Sequence, residues 1–429
     1  MQASDVYPAL ARRQDGLRAL LDEPIDWRYK CFPPEDGVTI GTVNRMGWNL
    51  LRGDLPLPAL VLKESALAHN IALMAGWCEE RRILHAPHGK TTMAPQLFSR
   101  QLDAGAWGIT AATASQARTY RTFGVQRILL ANELVEPASL RWLAKELAEA
   151  PGLDFYCLVD SLRGVEAMAE ALSASERPVQ VLLEIGFDRG RTGCRTAAEA
   201  ADVAAAVARS PGLELVGTEG YEGVIADDRS DASLAAVDAF LHKLRETTVE
   251  LERAGAFAGR ERVIVSAGGS AYFDRVVDLL GADWPFKKAV DLVIRAGGYI
   301  THDVGLYERT SPLAQELHPA LEAWGTVLSR PEPDLALVGL GKRDVSHDLD
   351  LPRPQLVCGP DGLREATGMV VTALNDQHAY VRVPPADELA VGDLIGCGIS
   401  HPCTAFDKWR LIPVVDDEYT VVDAVATFF

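Results

Sequence analysis

Between about residues 57 and 300 the sequence alternates short, continuously apolar runs with longer amphipathic segments. Continuously apolar strands are typical of a parallel sheet that is covered by helices on both faces. Eight or nine strand–helix units can be counted, and a closed barrel of about 250 residues accommodates them. We therefore predict an α/β protein built on a (β/α)8 TIM-type barrel. An open doubly wound sheet is the alternative, but no G-x-G-x-x-G motif follows the first strand to indicate a dinucleotide site.

Each predicted barrel strand is a short apolar run bounded by turn residues. One of them leads to residue 90, and the others are residues 59–62, 107–110, 127–130, 155–159, 179–184, 213–216, 262–265 and 291–294. After about residue 305 the helical periodicity fades, and short alternating runs between Gly, Pro and Asp predict a C-terminal antiparallel β-domain. The predicted domains are an N-terminal segment of residues 1–45 packing on the β-domain, a barrel of residues 46–304, and a β-domain of residues 305–429.

Charge and cysteine content limit the kinds of partner. The formal net charge of −18 argues against nucleic acid and anionic membranes as partners. No apolar run approaches the roughly 20 residues of a membrane span, and the N-terminus does not resemble a signal peptide. The seven cysteines are odd in number and scattered, which indicates reduced thiols and a cytoplasmic location.

Lys90 follows a predicted buried strand that breaks at Pro87 and Gly89. In a barrel of this type that position is the C-terminal rim, where catalytic groups collect. A lysine that is partly desolvated there has a lowered pKa and becomes a nucleophile able to form a Schiff base with a cofactor aldehyde. On this segment alone, a solvated loop lysine is the alternative.

Glycines follow another predicted strand at the same rim. Gly268, Gly269 and Ser270 come directly before a predicted helix, where backbone N–H groups and the helix dipole favour an anion such as phosphate. A Gly-Gly turn at a strand end is common in itself. Phosphate binding at residues 268–270 is therefore a hypothesis that needs support from the rest of the chain.

His401 and Cys403 are separated by one residue, which in extended backbone directs both side chains to the same side. Imidazole and thiolate suit a borderline-soft cation such as Zn²⁺. Two ligands are too few for a closed structural site, so the cation would keep positions free for substrate and act as a Lewis acid. His347 and His378 are candidates to complete the shell, and a polar loop histidine beside a buried cysteine is the alternative.

In this order, the segments resemble fold-type III pyridoxal-phosphate enzymes, and among them the D-serine dehydratase / D-threonine aldolase (amino-acid deaminase) branch. Residues 57–71 are similar to the family's first βα unit, residues 87–91 to its cofactor-lysine motif, and residues 401–403 to its metal-binding motif. The resemblance covers the chain from about residue 57 to the end. It departs at residues 92–93, where relatives often carry His-Lys. It implies an alanine racemase-like barrel and a homodimer.

The resemblance also implies a role for each matched residue. Lys90 would hold pyridoxal 5'-phosphate and move the Cα proton, Arg191 would face the pyridine nitrogen, and Tyr221 would lie beside the cofactor. The phosphate would be bound by Gly268, Gly269 and Ser270, and the metal by His401 and Cys403. Arg189 is a rival to Arg191, because the run from residue 184 to 191 is longer than the usual motif. The metal is expected to be zinc, with manganese as the alternative.

The implied chemistry is consistent with a lyase. An arginine cannot give up its proton, so the pyridine nitrogen facing it stays unprotonated and the ring is a weaker electron sink. A metal on the substrate hydroxyl would then help a group to leave Cβ. We predict a lyase that dehydrates a β-hydroxy amino acid to a 2-oxo acid and ammonia, and the resemblance implies the D configuration at Cα, as in D-serine or D-threonine. The alternatives are a D-threonine-type aldolase, an amino-acid racemase and a non-catalytic carrier of the cofactor.

Overall fold

Two sheets of different strand direction organise the computed structural model, which describes residues 13, 15–173, 175, 177–281 and 283–429. The first strand, β1 (Ala59–Lys63), belongs to the larger sheet of ten strands. The other sheet has eight parallel strands: β2 (Leu84–His85), β3 (Ile109–Ala111), β4 (Arg127–Glu133), β5 (Asp154–Val159), β6 (Val179–Ile185), β7 (Leu213–Gly220), β8 (Arg262–Ala267) and β9 (Ala289–Ile294).

The parallel sheet closes on itself. Its strands run in the order β2-β9-β8-β7-β6-β5-β4-β3, and a bridge between His88 and Thr110 joins the two ends. The Thr110 N–H donates to the Pro87 carbonyl at 2.9 Å, and the Thr110 hydroxyl donates to the Ala86 carbonyl at 2.6 Å. The predicted eight-stranded barrel is thereby confirmed.

Helices cover the outside of the barrel, and apolar side chains fill its interior. The helices are α1 (Glu64–Arg81), α2 (Pro95–Asp103), α3 (Ala114–Thr122), α4 (Pro137–Glu149), α5 (Leu162–Ala171), α6 (Ala197–Ala208), α7 (Asp231–Arg253) and α8 (Phe273–Leu280). Several begin at a side-chain cap, as at Thr196, whose hydroxyl accepts from the Glu199 N–H. The interior cluster consists of Ala86, Leu129, Tyr156, Leu158, Leu182, Val216, Ile264 and Val293.

The placement of β1 corrects one prediction. Residues 59–62 were expected to form a barrel strand, but β1 lies in the ten-stranded sheet, antiparallel to residues 321–324 and parallel to residues 414–415. A run that is buried on both faces looks the same in sequence whichever sheet it joins. The barrel therefore starts with β2, and the chain enters it through the second sheet.

The ten-stranded sheet otherwise comes from the C-terminal part of the chain: β10 (Leu321–Glu332), β11 (Leu335–Val338), β12 (Arg353–Gly359), β13 (Gly362–Glu365), β14 (Val370–Leu374), β15 (Ala379–Arg382), β16 (Leu394–Gly398), β17 (Leu411–Val415) and β18 (Val421–Ala426). All of their pairings with one another are antiparallel, as predicted. Two short helices, α9 (Leu306–Thr310) and α10 (Cys403–Phe406), lie beside the barrel mouth.

The described part of the N-terminal segment contacts both units. The Lys30 ammonium lies 2.9 Å from a carboxylate oxygen of Asp344 and 3.8 Å from the ring centroid of Trp409, and Arg13 donates to Asp103 of the barrel at 2.6 Å. Residues 1–12 and 14 of the predicted segment lie outside the described residues, and the predicted domain boundaries stay predictions.

Two findings bear on the cell compartment. All seven cysteines lie in the described part of the chain and are free thiols. Within the same part, no helix combines the length and the apolar composition that crossing a membrane requires. The cytoplasmic location stays a prediction.

Candidate active site

The C-terminal ends of the barrel strands and the segment before α10 surround a cleft of about 560 Å³. Its lining combines the predicted residues with others, and the polar members include His88, Lys90, Thr91, Gln116, Asn132, Glu184, Arg191, Glu219, Tyr221, Ser270, Arg295, Tyr307, His401 and Cys403. The cleft thus brings together candidate residues that are more than 300 positions apart in sequence.

Lys90 lies in a single 3-10 turn, Gly89–Thr91, which is separated from the end of β2 by residues 86–88. A Cβ at Gly89 would lie 2.6 Å from the Tyr120 hydroxyl and 2.8 Å from Ile109, so only glycine fits at this turn. Burial lowers the pKa of Lys90, and the nearby guanidinium groups of the cleft lower it further, while Cys403 acts in the opposite direction. A lysine in this environment is more readily deprotonated than one in a solvated loop.

Arg191 and Tyr221 lie together in the cleft. The Arg191 guanidinium carbon is 4.4 Å from the Tyr221 ring centroid, within cation–π range, and Tyr221 is half-buried. Both arginines are exposed, but only Arg191 is among the residues that line the cleft. Between the two arginines that the sequence left open, the geometry therefore favours Arg191.

The loop that carries Arg191 is held by its neighbours. The Arg195 guanidinium donates to the carbonyls of residues 190–193, and the Thr192 hydroxyl donates to Glu184 at 2.8 Å. Lys243 donates to the carbonyls of Gly186 and Arg195. This loop is consequently built to hold one conformation.

The predicted phosphate cradle stays a prediction, and its backbone amides already have a partner. The N–H groups of Gly268 and Gly269 donate to the Glu222 carboxylate at 3.0 and 2.7 Å, so they are already occupied. Gly269 and Ser270 line the cleft, whereas Gly268 does not. The Ser270 hydroxyl oxygen accepts from the Gly298 N–H at 3.0 Å. Ser270 and Gly269 therefore line the cleft, while both glycine amides already have the Glu222 carboxylate as partner.

Arg295 and Glu219 form a buried ion pair that the sequence reasoning missed. Their closest atoms are 2.5 Å apart, and the side chains are 3% and 1% exposed. Arg295 also donates to the Ser266 hydroxyl at 2.7 Å. It follows β9 by one residue, so the rule that functional groups collect at strand exits was the signal that could have found it.

His401 and Cys403 both line the cleft, although their backbone is not extended as predicted. His401 has a φ of +53°, and Cys403 is the first residue of α10. The neighbouring Cys403 thiol and the Asp348 carboxylate raise the pKa of His401 to about 9. Nδ1 of His401 lies 2.6 Å from the Asp348 carboxylate, whose other oxygen accepts from the Thr404 hydroxyl at 2.8 Å. The Asp348 contact leaves Nε2 as the free ligand nitrogen.

Neither His347 nor His378 completes the pair. Both are exposed, and within the described ranges no third His, Cys, Asp or Glu forms a metal-holding group with another two. The expectation that one of them would supply a ligand is therefore not met. Two protein ligands leave positions for water or substrate, as a catalytic site requires.

The cleft fits pyridoxal phosphate. It offers a lysine of lowered pKa and two arginines. Three lining side chains each carry a buried polar atom that has no protein partner: Nδ1 of His88, Oε2 of Glu184 and Oε2 of Glu219. Unpartnered buried polar atoms are rare in native proteins, and here they point to a polar ligand.

Comparisons with known proteins agree with this geometry. The alanine racemase N-terminal domain family matches residues 62–274, and the putative serine dehydratase domain family matches residues 320–415. A D-threonine aldolase of Arthrobacter sp is 27% identical over 384 residues, which are 89% of this chain and 94% of the relative.

Two solved structures share the fold. The D-threonine aldolase of Filomicrobium marinum has a TM-score of 0.76 at 25% identity, covering 90% of this chain and 97% of that one. A D-threo-3-hydroxyaspartate dehydratase from Delftia sp. HT23 has a TM-score of 0.71 at 22% identity, covering 89% and 99%. The predicted combination of a barrel with an antiparallel domain is confirmed.

Proposed function

Because this chain belongs to the fold-type III pyridoxal-phosphate enzymes and is a lyase of that family, we propose that it dehydrates a D-β-hydroxy amino acid. D-Serine or D-threonine would give a 2-oxo acid and ammonia. One observation carries the proposal: Lys90 and the pair of His401 and Cys403 line the same cleft from opposite domains. A base for Cα and a Lewis acid for the β-hydroxyl are thereby within one substrate-sized space.

Pyridoxal phosphate, when bound, supplies the electron sink for negative charge at Cα. Lys90 would hold it covalently, and Ser270 and Tyr307 would bind its phosphate. The lowered pKa of Lys90 makes its amine easier to deprotonate, as a base for the Cα proton requires. Arg191 would face the pyridine nitrogen, with Arg295 deeper in the barrel.

A divalent cation would be bound by Nε2 of His401 and the Cys403 thiolate, and zinc suits this donor pair better than manganese, which prefers oxygen ligands. Its chemistry there would be to stabilise the departing hydroxide as a Lewis acid. The hydrogen bond from His401 to Asp348 orients the imidazole towards the cleft.

Dehydration and retro-aldol cleavage differ in what they need at the β-oxygen. Dehydration needs only a Lewis acid, whereas an aldolase also needs a base that removes the hydroxyl proton. Both oxygens of Asp348 are engaged by His401 and Thr404, and among the described residues no further carboxylate joins the metal pair. This arrangement favours dehydration. An aldolase giving glycine and an aldehyde is the second candidate, because the Arthrobacter relative is named as one.

Product analysis tests the proposal. Purified protein is given D-serine, L-serine, D-threonine and D-phenylserine with and without a chelator, and 2-oxo acid, ammonia, glycine and aldehyde are measured. We expect oxo acid and ammonia from the D-isomers and loss of both on chelation. Glycine and aldehyde in their place would move the assignment to the aldolase.

Variants assign the roles. Lys90→Ala should abolish the visible absorbance change on adding pyridoxal phosphate, and Cys403→Ala should lose the metal and the turnover together. Cys358→Ala is the matched control, because Cys358 is a partly exposed cysteine of the same domain that does not line the cleft. Full turnover by metal-free Cys403→Ala would eliminate the metal role.

We also propose a homodimer. Val135, Leu162 and Val224 are apolar side chains exposed to between 47% and 51% that follow barrel strands at the C-terminal rim, Leu162 as the first residue of α5, and a second copy would cover them. Light scattering after size exclusion should give twice the chain mass, and a monomer at micromolar concentration would contradict this.

A further inference from the structure

One buried carboxylate connects the two halves of the cleft. Asp303 is 3% exposed, and its Oδ1 accepts from the N–H groups of Gly305, Tyr307 and Glu308 at 3.0, 2.7 and 3.3 Å. Its Oδ2 accepts from the N–H of His401 at 2.9 Å. The same side chain therefore holds the start of α9, which carries Tyr307, and the backbone of the metal-binding histidine.

The two segments that Asp303 joins are also in direct contact. The Val304 N–H donates to the Ile399 carbonyl at 3.2 Å, and the Leu306 N–H donates to the Ser400 hydroxyl at 3.3 Å. A Cβ at Gly305 would collide with the Ser400 side chain. With no free space between them, a shift of α9 is transmitted to residues 399–401.

The contact between residues 303–306 and residues 399–401, called the junction below, has one proposed ligand position on each side. Tyr307 packs its ring on Gly298, whose N–H donates to the Ser270 hydroxyl at 3.0 Å, on the side of the cleft assigned to the phosphate. At the other end, His401 has a left-handed backbone that residues other than glycine rarely adopt. The hydrogen bond from its N–H to Asp303 is one of the contacts that maintain this conformation.

We propose that Asp303 couples the two ligand sites, so that the cofactor phosphate and the divalent cation each strengthen the binding of the other. The coupling rests on the proposed function, because it requires a phosphate beside Ser270 and Tyr307 and a cation on His401 and Cys403. A ligand that orders α9 also fixes His401, and the second ligand then finds its site already ordered. By linkage, both affinities change by the same factor.

A second route of coupling predicts a different result. Lys90 and Cys403 interact electrostatically across the cleft, so a cation on Cys403 would also act on the cofactor lysine directly. That interaction does not involve Asp303. Electrostatic coupling would remain in Asp303→Asn, whereas coupling through the junction would be lost. The asparagine side chain has a single acceptor oxygen, and its NH2 group would face a backbone N–H that the second carboxylate oxygen of Asp303 accepts from.

Two titrations measure the coupling. Zinc affinity is measured by competition with a chelator in cofactor-free and cofactor-loaded protein, and pyridoxal-phosphate affinity is measured by absorbance with and without zinc. In the wild-type chain we expect the dissociation constants of zinc and of pyridoxal phosphate to decrease by the same factor when the other ligand is bound, within the usual range of about 5- to 150-fold. In Asp303→Asn the factor should fall close to 1.

Asp393→Asn is the matched control, because Asp393 is 8% exposed, accepts the Ala390 N–H at 2.8 Å and does not line the cleft. Its coupling factor should equal that of the wild type. If Asp303→Asn does not fold, Ser400→Ala removes the acceptor of the Leu306 N–H and should reduce the factor. Independent binding in the wild type, or an unchanged factor in the folded variants, would overturn the proposal. Failure of either ligand to bind at all would instead contradict the proposed function.

Discussion

Replacing Arg295 by methionine should destabilise the barrel strongly above about pH 8, because Glu219, whose pKa burial raises to about 8, is ionised there and would lose its counter-charge. The pair is 3% and 1% exposed with a closest distance of 2.5 Å. Removing one partner of a buried ion pair costs about 3–5 kcal/mol. Arg295 also donates to the Ser266 hydroxyl at 2.7 Å, and loss of that bond adds about 1 kcal/mol. We expect a total loss of about 4–6 kcal/mol in the free energy of unfolding, summing these two ranges.

The assay is equilibrium unfolding of cofactor-free protein in denaturant, followed by circular dichroism and tryptophan fluorescence. Arg275→Met is the control, because its ion pair with Asp238 is partly exposed, at 27% and 26%, and should contribute about 1 kcal/mol or less. The double variant Arg295→Met, Glu219→Leu should recover most of the lost stability, since two apolar side chains replace the pair. An Arg295→Met loss no larger than the control's, or a double variant no more stable than the single one, would refute the reasoning.

Three further changes have defined outcomes. Burial and a neighbouring carboxyl raise the pKa of Glu133 to about 9, so the folded chain keeps a proton that the unfolded chain loses near pH 4–5. The free energy of unfolding should therefore fall as the pH rises from about 5 to about 9. Glu133→Gln should make the free energy of unfolding depend less on pH over this range. Gly89→Ala, whose Cβ would lie 2.6 Å from the Tyr120 hydroxyl, should lower the free energy of unfolding by about 1–3 kcal/mol and weaken cofactor binding. An unchanged thermal unfolding temperature would contradict this prediction. Asp348→Asn, which disturbs the orientation of His401, should weaken zinc binding about 10- to 100-fold in chelator competition, and unaltered affinity would count against that role.

The barrel and its lysine could be predicted because their signals are local. A continuously apolar run that breaks at Pro87 and Gly89 places Lys90 at a strand exit. His401 and Cys403 are two positions apart, so they are close in space whatever their conformation. The conformation itself was predicted wrongly, because the left-handed φ of His401 depends on contacts with residues far away in sequence.

The remaining features come from long-range packing. Asp303 and Asp348 are 98 and 53 positions before His401, and nothing in their own neighbourhoods marks them as its partners. The occupation of the Gly268 amide by Glu222 likewise depends on the meeting of two strand exits. Local periodicity predicts the elements and the rim, whereas the partners of each group depend on how the elements pack.

The most direct test of the account is the rate of 2-oxo acid formation from D-serine as a function of bound metal, with pyridoxal phosphate saturating. If Lys90 and the pair of His401 and Cys403 serve one reaction, metal-free protein should form no oxo acid. The rate should then rise in proportion to zinc up to one ion per chain, with ammonia released in equal amount. A full rate in metal-free protein, or glycine and formaldehyde as the products, would contradict the account.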